Sequence, residues 1–381
     1  MASRSSQDAP PRLSDFVEPT TRRGFLANAS MLSLAIPGVG AAIAACSPGS
    51  EKANDTANAG AIAAPPQSAG SPTLHNPDSR LDTALLKGGH PISSAGGITP
   101  SATVYKRFDP ALPPLGSGNL KIHWRTKELP IRISDDTVVA AWTFEGDIPG
   151  PVVHCRVGDT VEFTLTNDVD VPHSMDFHAA QIDPKHAFRS VPKGESVTYT
   201  FKPKWAGAFL YHCGSSPVLM HIGSGMYGAI VVSPREPLPP AKEFVLIQSE
   251  YYLGDAVGGI RPFDYNKMLA TFPDYVMFNG RPNQYMKDPI KVKVGDRVRF
   301  WVVNAGPTHP CNFHVVGEQF DTVYLGSPPG SAIHGVQTWD VAAGGGMCFE
   351  MLCDVPGEFP VVNHGFGHGQ KGGIGILMVE P

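Results

Sequence analysis

The chain has 381 residues, 30 basic and 35 acidic, for a net charge of −5. Charged residues make up 17 %, below the usual figure of about 25 %, and no long basic run occurs, so nucleic-acid binding has no electrostatic support. Six cysteines in this length exclude a small disulfide-stapled scaffold, and the lack of a G-X-Y period, heptads or repeated apolar stretches excludes collagen, coiled coil and a polytopic membrane protein.

Residues 1–45 read as an address and not as fold. Arg22-Arg23 precede an apolar stretch from Leu26 to Ala45, the order of an export signal. The paired arginines resemble a twin-arginine signal, which carries proteins already folded. Ile43-Ala44-Ala45-Cys46 resembles a lipobox, in which Cys46 is lipidated and becomes the first mature residue. A plain cleaved signal and an uncleaved single-span anchor are the alternatives; Asn28, Ser30, Ser33 and Pro37 weaken the second. The expectation is export to the periplasm or cell envelope, with membrane contact through a lipid alone. Residues 46–102 are rich in Ala, Gly, Ser, Pro and Asn and read as a flexible tether. Some 50 residues of this kind span on the order of 40 Å.

From residue 103 short β-rich runs alternate with turn residues, as in Thr160-Val-Glu-Phe-Thr-Leu-Thr166 and Arg297-Val-Arg-Phe-Trp-Val-Val303. Many short strands indicate a sandwich or barrel. The chain also repeats itself. Val157-Gly-Asp matches Val294-Gly-Asp and Asn167 matches Asn304, at an offset of 137. His173-Ser-Met-Asp-Phe-His178 matches His309-Pro-Cys-Asn-Phe-His314 at 136, and Ala206-Gly-Ala-Phe209 matches Pro356-Gly-Glu-Phe359 at 150. A repeat this long is a duplicated domain. The expected fold is all-β, two tandem Greek-key β-sandwiches over residues 103–238 and 239–381, divided near Pro237–Lys242.

Four metal-ligand candidates converge in the first copy: His173, Cys213, His221 and Met226. Two imidazoles, a thiolate and a weak thioether are the donors of a blue-copper electron-transfer centre. Cys213, His221 and Met226 follow as Cys-x7-His-x4-Met, which suits one loop at a sandwich end. Taken singly, Cys213 could be a small core hydrophobe and Met226 core filler; the four together in this order favour the metal. His212 precedes Cys213, and His178 follows His173 by five. Neighbours on an extended segment face opposite sides, so Cys213 can face one metal while His212 faces another. Two histidines leave that second site short of a third ligand. The candidate is His364 in the second copy, whose place after Phe359 corresponds roughly to that of Cys213 after Phe209.

Five segments, Val171-Pro-His-Ser-Met-Asp-Phe-His178, Tyr211-His-Cys213, Met220-His-Ile-Gly-Ser-Gly-Met-Tyr-Gly228, Phe313-His-Val-Val-Gly-Glu318 and Val362-Asn-His364, resemble the copper-containing nitrite reductases in the family's order. The resemblance covers residues 103 to 381, and the gap between Cys213 and His221 is similar to that of the family's shorter-loop branch. It implies two cupredoxin domains and a homotrimer that reduces nitrite to nitric oxide by one electron, drawn from a small cupredoxin or a cytochrome c. It implies type 1 copper on His173, Cys213, His221 and Met226, and type 2 copper on His178 and His212 of one chain and His364 of its neighbour. Asp176 and His314 match the pair that binds nitrite and delivers protons, and Val316 an aliphatic position shaping the pocket. Independently, a carboxylate and an imidazole flanking a metal are plausible general acids; singly, Asp176 could cap a turn and His314 be a satisfied half-buried histidine.

The chain departs from that pattern in places. His309 and Cys311 stand where apolar or small residues are usual; His309 reads as a relic of duplication or a supporting group. Gln181–Ala187 replaces a more Gly/Ala-rich stretch at the channel rim. Cys348 and Cys353 face opposite sides of one strand and, with Cys155, read as buried free thiols. The sequence leaves His368 open between surface and near-site. Two rivals stand. A two-domain laccase-like multicopper oxidase needs His-x-His pairs, and this chain has none. An anchored cupredoxin carrier leaves His178, His212, Asp176, His314 and His364 without a shared role.

Overall fold

The computed structural model describes residues 101 and 103–381. The expected signal of residues 1–45, Cys46 and all but residue 101 of the tether lie outside the described residues.

Alternation in the sequence becomes strand structure in the first sandwich. β4 (Thr160–Thr166) buries every second side chain, Val161, Phe163 and Leu165, and turns its threonines outward. With β1 (Asn119–Arg132), β2 (Val138–Phe144) and β6 (Ser196–Phe201) it forms a sheet in the order β2-β1-β4-β6. Facing it is a sheet in the order β3-β8-β7-β5, built from β3 (Val153–Arg156), β5 (Asp176–Phe177), β7 (Gly207–His212) and β8 (Tyr227–Ser233).

The second sandwich repeats this plan. One sheet runs β10-β9-β12-β17-β14-β15, from β9 (Lys242–Tyr251), β10 (Tyr275–Phe278), β12 (Arg297–Gly306), β14 (Thr322–Tyr324), β15 (Ala332–Ile333) and β17 (Gly346–Leu352). The other runs β11-β19-β18-β13-β16, from β11 (Ile290–Lys293), β13 (Cys311–Val315), β16 (Thr338–Val341), β18 (Gly357–Asn363) and β19 (Ile374–Glu380). The expected division at 238/239 falls between β8 and β9. The described residues therefore form two tandem all-β sandwiches, as the sequence pattern indicates.

The β9-β12-β17 sheet is buried on both faces, which explains the unbroken apolar run Phe300–Val303. Val245, Ile247, Trp301, Val303 and Cys348 join the first sandwich's core, whereas Leu246, Phe300, Val302, Phe349 and Cys353 join the second's. Cys155, Cys213, Cys311, Cys348 and Cys353 are all buried and free. The sandwiches approach closely at Gly346, where a Cβ would lie 2.1 Å from the Ala208 carbonyl oxygen. Only glycine permits that approach, and it brings the turn before β17 over the start of β7.

One of the repeat's matches is shifted. Asn167 Nδ2 donates to the carbonyls of Val171 and Val191, and Asn304 Nδ2 to those of His309 and Val341, all at 2.9 Å. His309 thus stands in the place of Val171, not of His173. His173 bridges Val191, and Cys311 pairs with Val341, so Cys311 has His173's place. The cause is a register shift in β12 between Asn304 and Gly306, which lengthens the following loop by one residue. A two-residue slip leaves every side chain on its original face, so the hydrophobic pattern could not reveal it. Likewise the amide of Cys213 donates to Met226 O, and that of Asn363 to Gly373 O, at the same point of β7–β8 and β18–β19. Asn363, and not His364, therefore occupies the place of Cys213.

Candidate metal centres

The first cluster sits where β7 runs out. His212 closes the strand, and the segment to β8 folds back through the short helix Val218–Gly223. Cys213 N–H to Met226 O and Met226 N–H to His221 O, both 3.1 Å, close this loop. His173 enters from the segment before β5. His173, Cys213, His221 and Met226 are all buried. His173 Nδ1 and His221 Nδ1 are 3.0 Å apart, and Cys213 Sγ lies 3.8 and 3.2 Å from them. The Ser174 amide donates to Sγ at 3.3 Å, and Trp142 packs its ring against both imidazoles.

Burial works to raise the Cys213 thiol, but the His173 bond and charge and the Ser174 and Ser215 amides outweigh it, leaving the thiol below its usual range. Burial is the main cause that holds His173 below the ordinary imidazole value. Thiolate and neutral imidazole are the ligand forms. The triangle of 3.0, 3.2 and 3.8 Å has its equidistant point about 2.0 Å from each atom, close to the ~2.0 and ~2.3 Å bonds of imidazole and thiolate to a first-row metal. The residues fit a soft-to-borderline ion.

The second cluster is on the other side of the same strand. Asp176 pairs with His212 across β5–β7, and the ligand atoms of Asp176, His178 and His212 lie within 4.8 Å of one another. His178 Nε2 and His212 Nε2 are 3.0 Å apart, and Asp176 Oδ2 is 3.9 Å from His212 Nε2. The other ring nitrogens are spoken for. His178 Nδ1 donates to Gly344 O at 3.0 Å, on the turn that Gly346 brings close, and His212 Nδ1 to Cys213 O at 2.9 Å. Burial lowers the His212 pKa, which favours the neutral ring. Two bare lone pairs thus face each other at 3.0 Å, an arrangement a cation relieves.

His364 does not join this cluster within the chain. It is exposed after β18, its ring 5.3 Å from that of His314, and its amide donates to Asn312 O. His314 Nδ1 donates to Gln337 O at 2.6 Å, which leaves Nε2 as the free atom. Val316, 39 % exposed, follows His314, and the exposed Phe366 ring packs against His364. The pairs His178/His212 and His314/His364 are thus separate within one chain, and the second has an apolar border. Sequence reasoning missed the carbonyls of Gly344 and Gln337, which fix the ring tautomers; backbone acceptors leave no residue-type signal. His368, left open by the sequence, packs against His309 with ring centroids 4.7 Å apart.

A multicopper oxidase family model matches residues 126–237. Copper-containing nitrite reductases of Neisseria meningitidis and Neisseria gonorrhoeae are 40 % identical over 271 residues, covering 68 % of this chain and 69 % and 68 % of theirs. Among solved structures, the copper nitrite reductase from Nitrosomonas europaea matches with a TM-score of 0.65 and 36 % identity, over 68 % of this chain and 94 % of that one. A multicopper oxidase crystal structure matches with 0.61 and 27 %, over 69 % and 89 %. At 40 % identity over 68 % of its length to these relatives, the chain belongs to the copper-containing nitrite reductases.

Proposed function

We propose that the protein reduces nitrite to nitric oxide with two coppers per chain. Type 1 copper would be held by His173, Cys213, His221 and Met226, and type 2 copper by His178 and His212 together with His364 of a neighbouring copy in a homotrimer. The observation that carries the reading is the adjacency of His212 and Cys213: Sγ faces the buried cluster while the His212 ring reaches the other. An electron leaving the first cluster has a short covalent route through one peptide unit. The pairing of copies rests on the incompleteness of each histidine pair and on the apolar residues Val316 and Phe366 beside the second.

The balance is one nitrite, one electron and two protons giving nitric oxide and water. Bound copper at the second site supplies Lewis acidity and a template for nitrite oxygen. Asp176, beside His212, presents a carboxyl that binds and protonates the departing oxygen. His314, its Nδ1 proton committed to Gln337 O, would take up a second proton from solvent at Nε2 and release it from the same atom toward the departing oxygen. Val316 would limit the pocket wall. The donor would be a small cupredoxin or a cytochrome c, and export with lipidation at Cys46 would place the enzyme at the cell envelope. The test is nitric oxide formation from nitrite with a reduced dye, alongside copper counting. Two coppers per chain and nitric oxide are expected; four coppers with phenol oxidation by oxygen would favour the oxidase rival.

A further inference from the structure

The second sandwich contains the shell of the first sandwich's metal cage with different atoms in it. Gly225 and Gly372 hold the same positive-φ turn, with φ of 113° and 114°, each two residues before its strand, β8 or β19, begins. Counting back from that turn, His368 stands where His221 stands, on the short helix Phe366–Gly369. Asn363 stands where Cys213 stands, and Gly373 where Met226 does. The spacing within the cage survives: Cys213 Sγ is 3.2 Å from His221 Nδ1, and Asn363 Nδ2 is 3.5 Å from His368 Nδ1.

An amide now fills the thiolate's place, and every polar atom on it is engaged. Asn363 is buried. Its Nδ2 donates to Gln248 Oε1 at 2.7 Å and to Pro310 O at 3.1 Å, and its Oδ1 accepts from the Gly365 amide at 2.9 Å. Gln248, also buried, donates onward to Pro310 O at 3.2 Å. His309 closes the side, its Nε2 donating to Thr271 O at 2.9 Å and its ring packed on His368. The residue between Asn363 and Gly365 is His364. The peptide unit after it is tied to this amide through the Gly365 N–H, and the unit before it donates the His364 N–H to Asn312 O, while its own ring stands exposed.

We infer that Asn363, braced by Gln248, is a positioning residue for His364: the disused cage has become a lock that aims the imidazole contributed to a neighbouring copy. The inference rests on the reading of His364 as a type 2 copper ligand. An exposed ligand that crosses to another chain has no core of its own to fix it. Groups behind a ligand typically alter metal affinity 10- to 100-fold when removed.

The test compares Asn363→Ala, Gln248→Ala and His364→Ala in the copper-loaded protein, titrated with Cu2+ against a chelator and followed by the type 2 electron paramagnetic resonance signal and the visible band. Asn363→Ala is expected to weaken type 2 copper 10- to 100-fold and to alter its hyperfine pattern, with the visible band retained. A general loss of stability would lower the melting temperature and leave that pattern unchanged. Wild-type affinity and hyperfine pattern in Asn363→Ala would overturn the inference. Should that variant fail to fold, Gln248→Ala decides: a several-fold weakening supports the lock, and wild-type affinity overturns it. If His364→Ala keeps its type 2 copper, the reading beneath has failed; if it loses the copper and Asn363→Ala does not, only the lock has failed.

Discussion

Replacing Asn167 by alanine tests how the first sandwich holds a metal ligand. Asn167 is buried and makes four bonds, donating to Val171 O and Val191 O at 2.9 Å and accepting from Thr126 Oγ1 at 2.6 Å and the Val169 amide at 3.1 Å. Val191 in turn exchanges backbone bonds with His173, so the amide clamps both sides of the segment delivering that ligand. At a net ~0.5–1.5 kcal/mol per bond, with unsatisfied groups left inside, the loss is about 3 kcal/mol. For a body of this size that is a drop of roughly 6–12 °C in melting temperature. Asn304→Ala breaks the sister set, to His309 O, Val341 O, the Gly306 amide and Gln248, and should cost a similar amount. The visible spectrum separates them: Asn167→Ala weakens and shifts the thiolate-to-copper band, whereas Asn304→Ala leaves it alone. A loss below ~1 kcal/mol with an unchanged band for Asn167→Ala would refute the clamp, as would an equal spectral effect from Asn304→Ala.

Cys213→Ser removes the only thiolate in the first cluster and is expected to abolish both the intense visible band and nitric oxide formation; a persisting band would deny the assignment. Asp176→Asn should keep both coppers and lower turnover by about 10²–10⁴-fold, the usual worth of a positioned proton donor. Unchanged turnover, measured with a reduced dye, would remove Asp176 from the proton path. Gly228→Ala should destabilise by about 2–4 kcal/mol, because the new Cβ would meet Tyr211 Oη at 2.1 Å and break its bond to Pro151 O. A calorimetric midpoint within 2 °C of wild type would contradict that packing.

Much of the site was legible because its chemistry is local. Cys213, His221 and Met226 share one loop, and His212 and Cys213 must diverge on a strand. The β-sandwich pair was legible from alternation and from Val157-Gly-Asp recurring as Val294-Gly-Asp. Register was not. Matching His309 to His173 looks natural in sequence, yet the extra residue at the β12 bulge moves Cys311 into that place. The same blindness set His364 against Cys213, where pairing with β19 puts Asn363. Tertiary acceptors such as Gly344 O were out of reach, since any residue carries a carbonyl. His309 and His368 were unreadable for a similar reason: they stand far apart in sequence and meet only in the folded chain.

The central claim is that neither histidine pair works alone. Its most direct test mixes two inactive variants, His178→Ala and His364→Ala, by unfolding and refolding them together. In a ring of identical interfaces, one quarter of the sites in an equal mixture would join an intact His178/His212 to an intact His364, so about a quarter of wild-type nitric oxide production should return. A mixture no more active than its two parents, from protein shown to have exchanged subunits, would contradict a site shared between copies.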